Sequence, residues 1–117
     1  MATKTRAEMI TLLLERIGVK GGIEAAAAED SALAGTVIDS LHDRLRKLGL
    51  ASYATSAFPE WAQMPFVEIA GAECKVPFRL PAAMAQELES DRQHGMRETI
   101  RQMAGFRHPM PIVTDYF

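Results

Sequence analysis

The residues of this chain best suited to metal or nucleophile chemistry are His42, His94, His108 and Cys74. The histidines stand too far apart in sequence to form a metal-ligand motif, no HExxH occurs, and Cys74 has no second cysteine to share an ion or a disulfide. His42, next to Asp43, reads as a solvated or capping side chain on a charged helical face. Cys74 reads as a small buried residue on an apolar face, since a reactive thiol needs a base or a positive neighbour. Gly18, Gly21 and Gly22 resemble a phosphate loop only superficially, because the lysine and serine of such a loop are missing and no strand precedes them. Glu24, Glu29, Asp30, Asp39 and Asp43 spread over a helix start and its exposed face, where carboxylates favour the helix dipole. No serine lies in a nucleophile elbow. The sequence offers no catalytic, cofactor-binding or metal site, and the expectation is a protein that is not an enzyme.

The cations give a different lead. Arg97 and Arg101 lie one helical turn apart, and Arg107 follows. They read as a solvated face or as a contact for an acidic partner surface. The formal net charge of −2 argues against free-standing duplex DNA binding, which relies on a basic face to neutralise phosphates. Residues 1–50 are balanced in charge, 51–90 are net acidic, and only 91–117 are mildly basic.

The elements that must carry these residues are helices. Thr5 followed by Glu8 forms a capping box, and Ile10, Leu13, Leu14 and Ile17 recur at helical spacing before Gly18 closes the run. A second helix is expected from Asp30 or Ser31, with Ala34, Ile38, Leu41, Leu45 and Leu48 as its seam, cations in its last turn and Gly49 at its end. Residues 50–65 read as a long connection anchored on the core by Tyr53, Phe58 and Trp61. Pro65 suits the first turn of a third helix, whose apolar face holds Phe66, Ile69, Ala70 and Cys74. Pro77 bends or ends that helix, Phe78 to Pro81 form a corner, and a fourth helix is expected from about Pro81 to Met103. Met84, Leu88, Met96, Ile100 and Met103 form its apolar side, and Gly95 weakens it. From Phe106 onwards two prolines, β-branched residues and terminal Tyr116 and Phe117 predict an extended segment whose apolar side chains need cover.

The fold class is therefore all-α: a small bundle of four main helices, residues 1–105, with a long aromatic connection, followed by an extended segment, 106–117. At 117 residues there is room for one domain. No apolar run approaches the roughly 20 residues of a membrane span, and the single cysteine suits a reducing compartment.

The order of several short motifs resembles the head-to-tail connector proteins of tailed bacteriophages, the adaptors or tail accessory factors beneath the portal. The first helix ends Leu-Glu-Arg-Ile-Gly-Val, and the second starts Ala-Glu-Asp-Ser-Ala and ends Leu-Arg-Lys-Leu-Gly-Leu. The connection carries Ala-Phe-Pro-Glu-Trp-Ala, and the third helix opens Met-Pro-Phe-Val-Glu-Ile-Ala. The likeness covers roughly residues 5–105. It departs from the family pattern in two places. Leu45 and Leu48 stand where a tryptophan is frequent, and Arg79 follows Phe78 where a glycine is usual.

The resemblance implies a structural virion protein of the neck, made in the bacterial host cytoplasm and docked as a ring, typically of twelve copies, on the portal. The ring extends the DNA channel without sequence-specific binding and offers its far face to the next neck or tail protein. It implies no cofactor and no membrane. The docking segment would be the carboxy-terminal one, with Arg107, Pro109, Pro111, Ile112, Val113, Tyr116 and Phe117 as its contacts. Arg97 and Arg101 are candidates for a further partner-facing surface. A small helix-turn-helix DNA-binding regulator is the alternative, with Arg44, Arg46 and Lys47 at phosphates. It is disfavoured because those cations end the helix, whereas groove-reading helices use their first half.

Overall fold

The computed structural model describes residues 2–19 and 27–107, with Arg107 described in its backbone alone. Four α-helices follow in order, α1 (Arg6–Arg16), α2 (Ala28–Lys47), α3 (Glu60–Glu73) and α4 (Ala82–Arg107), and the class is all-α as expected. One isolated antiparallel bridge, Lys4 with Phe58, is the extended pairing among the described residues.

The first helix starts as its sequence requires. The Glu8 amide donates to Thr5 Oγ1 at 3.2 Å, and the Thr5 amide donates to Glu8 Oε1 at 2.8 Å, closing the capping box. Gly18 and Gly49 each take φ +78° at the ends of α1 and α2, the left-handed turn that favours glycine. α2 begins earlier than expected, at Ala28, from an Ala27 cap without a side-chain bond. Residues 20–26 lie outside the described residues. Leu48, expected to end the apolar seam, is 65% exposed, because as C-cap it sits where the chain turns away from the core.

The third helix corrects the sequence reading at Pro65. It starts five residues earlier, at Glu60 behind the cap Pro59, so Pro65 lies inside the helix. The missing N–H at Pro65 leaves the carbonyl of Trp61 without its usual helical donor, a cost that burial of Pro65 and its neighbours offsets. Pro77 falls in the turn after α3, and the expected corner is there: Arg79 takes φ +52° and the Leu80 amide donates to the Lys75 carbonyl at 3.0 Å. The fourth helix runs past its expected end. It continues through Gly105, Phe106 and Arg107, so the first two residues of the segment read as extended are helical.

Phe58, Phe66, Met9, Leu13, Leu14, Ile17, Ile38, Ile69 and Cys74 are the large side chains wholly inside the core, contributed by α1, α2, α3 and the connection. The connection is thus a structural member: Phe58 is fully buried, and its amide and carbonyl bond Lys4 at 2.8 and 3.0 Å. α4 is antiparallel to α3. Gly71 faces Leu88, Gly95 faces Pro65, Glu68 and Ile69, and Trp61 meets Phe106. At backbone level α4 packs on α3 and on no other described helix. Side chains tie it elsewhere: Asp91 pairs with Arg16 of α1, and Glu89 accepts at 2.7 Å from Lys75 in the turn after α3; His94 Nδ1 adds a contact to α3, 3.0 Å from Glu68 Oε1. At 26 residues α4 is about 39 Å long, which carries its last turns to the far end of α3.

Candidate interaction surface

The aromatic residues that the sequence scatters through the connection converge in space. Phe66 of α3 and Phe58 of the connection meet edge to face at 4.8 Å between ring centroids, wholly inside the core. Phe58 touches Tyr53 at 5.2 Å, Tyr53 touches Trp61 at 5.8 Å, and Trp61 touches Phe106 of α4 at 5.2 Å. The result is a continuous ladder of rings from the core to the surface. Its outer end is Phe106, which is 55% exposed. Edge-to-face pairs of this kind contribute about 0.5–1.5 kcal/mol each beyond their buried area. The Trp61–Phe106 pair explains why α4 runs past Gly105.

An open apolar groove of ≈ 510 Å³ adjoins the outer end of the ladder, lined by Thr3, Pro59, Glu60 and Trp61. The Lys4–Phe58 bridge builds it, because antiparallel pairing brings Thr3 beside Pro59. A second, smaller groove of ≈ 240 Å³ lies between α1 and α3, lined by Leu12, Glu15, Arg16, Met64 and Val67. Its Met64 is 60% exposed.

The two expected partner-facing arginines lie on the outer side of α4, one turn apart, with exposed Ile100 beside them. Their states differ. Arg101 grips Glu98 through two bonds, Nε to Oε2 at 3.1 Å and Nη2 to Oε1 at 2.7 Å, whereas Arg97 makes no ion pair among the described residues. Arg101 raises nothing for a partner to neutralise unless Glu98 is displaced. The Glu98 carboxyl is correspondingly held below its ordinary value by that hydrogen bond. Ile100 was expected in the apolar face of α4 and is half-exposed instead, because α3 covers only the side of α4 that carries Leu88, Gly95 and Met103.

Of the expected docking contacts, Arg107 falls at the last turn of α4 and its side chain is outside the described atoms. Pro109, Pro111, Ile112, Val113, Tyr116 and Phe117 lie outside the described residues.

The cations invoked for groove binding are engaged within the protein. Arg44 Nη2 donates to Glu73 Oε1 of α3 at 2.7 Å, and Asp43 receives Arg46 at 3.2 Å and Lys47 at 3.0 Å. Those two cations hold the Asp43 carboxyl below its ordinary value.

His42 is a residue whose role the sequence concealed. It does not sit on the solvated side of α2. Its Nε2 lies 2.6 Å from the Tyr53 carbonyl, and since a carbonyl only accepts, Nε2 carries the proton. Its ring packs on Tyr53 and Phe58, which pins the connection to α2. The signal was available in its spacing, one turn after Ile38 and three before Leu45. Cys74 is fully buried as the sequence suggests, and burial pushes its thiol up to about 12. Burial likewise raises the Tyr53 phenol above its ordinary value.

No three His, Cys, Asp or Glu side chains are placed to hold a metal ion among the described residues, and no described helix is long and apolar enough to cross a membrane. Comparison with family models, curated proteins and solved structures finds no match to this chain. The functional reading rests on this chain's own residues.

Proposed function

We propose that the protein is a head-to-tail adaptor of a tailed bacteriophage, a structural subunit that docks as one of a ring beneath the portal and offers its far face to the next neck or tail protein. In this reading it is no enzyme and takes no cofactor. DNA passes through the ring without being held, in keeping with a net charge of −2.

The observation that carries the reading is the exposed Phe106 at the outer end of the aromatic ladder, taken with the composition of the sequence after it. The aromatic ladder brings Phe106 to the surface, and the sequence that follows it, His108 to Phe117, is rich in proline, β-branched and aromatic residues. A sequence of that composition, following an exposed aromatic side chain, suits a docking element. The order of helix-end motifs from Leu14 to Ala70 supplies the family to which that element points. A subunit this small has modest interfaces, so a ring gains its strength by repetition on a preformed template.

The experiment is sedimentation velocity of the protein alone and mixed with the portal ring from its own genome. A light free species and a portal complex heavier by many copies is the expected result. An unchanged portal mass overturns the reading. Salt-sensitive binding to duplex DNA in a gel shift would instead bring the regulator alternative forward.

A further inference from the structure

The corner between α3 and α4 closes on a residue poorly suited to it. The Leu80 amide donates to the Lys75 carbonyl at 3.0 Å, and the Arg79 amide donates to the Val76 carbonyl at 3.1 Å. That pair of bonds is the Schellman stop of a helical turn, whose left-handed position is usually glycine. Here the position is held by Arg79 at φ +52°, the one non-glycine residue with positive φ among the described residues. A side chain strains that conformation, because its β-carbon crowds the backbone. Pro77 and Pro81 stand two residues away on either side with fixed φ angles, so the strain cannot spread along the turn.

α4 is held beyond this corner with few ties to the rest of the fold. At backbone level it packs on α3 and on no other described helix. None of the largest fully buried side chains comes from it, so α1, α2, α3 and the connection keep these core residues when α4 leaves. Its contacts with α3 are Gly95 on the Pro65 carbonyl, Leu88 on Gly71 and Phe106 on Trp61. The α4 of a second copy can supply every one of them. It can also supply the ion pair of Glu89 with Lys75, two residues on opposite sides of Arg79 in the chain.

We propose that Arg79 is a strained hinge across which two copies exchange α4, each α3 being covered by the other copy's helix. Exchange remakes the same contacts. The balance is therefore set by the freedom lost on association against the strain released at two corners. Short hinges under strain favour this kind of exchange. Val76 adds a contact of its own. At 84% it is the most exposed of the large apolar side chains among the described residues, and it lies three residues from the hinge, where the copies of an exchanged dimer meet. The inference assumes nothing about a portal or a tail.

The test uses equal amounts of isotopically heavy and light full-length chain, mixed, unfolded in urea and refolded over a range of protein concentration. The dimer is isolated by size exclusion and treated with a carbodiimide, which joins Lys75 directly to its ion-pair partner Glu89. Trypsin then cuts after Arg79, so the joined residues lie on two peptides whose isotopes are read by mass spectrometry. The expected result is a dimer that grows with concentration and in which about half of the Lys75–Glu89 links join a heavy peptide to a light one. Links confined to one isotope mean that the copies associate without exchange, and overturn the proposal. A chain that stays monomeric at every concentration also overturns it. Arg79→Gly tests the hinge itself. With unchanged ellipticity, it is expected to raise the dimer dissociation constant about 30-fold, roughly fivefold at each of the two corners. Equal dissociation constants for this variant and the wild type overturn the assignment of Arg79 as the strained hinge.

Discussion

Gly95 of α4 lies against the Pro65 carbonyl of α3 so closely that a β-carbon there would stand 2.7 Å from that oxygen and 3.1 Å from Glu68 Cβ and Ile69 Cγ1. In sequence Gly95 is a weak point, costing a helix about 1 kcal/mol relative to alanine. In space it sets the separation of the two helices. Gly95→Ala is therefore expected to destabilise the protein, since the obstacle is backbone and overpacking of this kind costs about 1–3 kcal/mol. Urea denaturation checks this; a rise in the midpoint would show that α4 can move away freely.

Two other helical glycines are expected to behave differently under the same substitution. Gly35 of α2 lies beneath the Arg6 guanidinium, which pairs with Asp39 at 2.9 Å. Arginine is a flexible obstacle, and an exposed pair contributes only about 0–1 kcal/mol, so the loss and the gain in helix propensity roughly cancel in Gly35→Ala. At Gly105 an added β-carbon meets nothing within 4 Å among the described residues beyond its chain neighbours and its own helix backbone. Gly105→Ala is expected to stabilise the end of α4 by about 0.4–1 kcal/mol. Measured by denaturation, the order of stability should be Gly105→Ala, Gly35→Ala, then Gly95→Ala.

What the sequence made legible were features written in local periodicity. The capping box at Thr5, the glycine stops at Gly18 and Gly49 and the inward set Leu13, Leu14, Ile38, Leu41, Phe66 and Ile69 all stand as read. The misreadings arose where a distant residue overrides a local rule. Pro65 reads as a helix start, yet burial against α4 keeps it inside α3. The helix is expected to end at Met103 ahead of the prolines, yet Trp61 holds Phe106 and the helix continues. His42 looks solvated because its partner, the Tyr53 carbonyl, carries no side-chain signature at all. The candidate surface was half legible: its aromatic residues were recognised as anchors, but their order as a ladder required the fold.

Cys74 should be chemically silent in the native protein. Its side chain is fully buried and burial pushes its thiol up to about 12, so almost no thiolate exists at neutral pH. A disulfide reagent is expected to modify it only as fast as the protein opens, with the rate rising in step with urea. Fast modification without denaturant would contradict the burial. Cys74→Ser should cost about 1–3 kcal/mol, by placing a hydroxyl where no partner replaces water.

Glu89 gives the fold a defined sensitivity to acid. Its carboxylate accepts from Arg92 on the same helix and from Lys75 in the turn before it, and these hydrogen bonds, Arg92 first, hold it at about 2, against an ordinary value of 4.5. A carboxyl whose folded value lies below its unfolded one stabilises the fold fully above the unfolded value, and that contribution is lost as pH falls towards the folded value. The expected window is therefore from 4.5 down to about 2. The group is partly exposed, so salt should weaken the effect. Thermal unfolding of the wild type and Glu89→Gln across that window checks the sign. The wild type should lose its advantage over the variant as pH falls, and the two should converge near pH 2. A gap that is constant with pH would mean that Lys75 and Arg92 do not hold this carboxylate in solution.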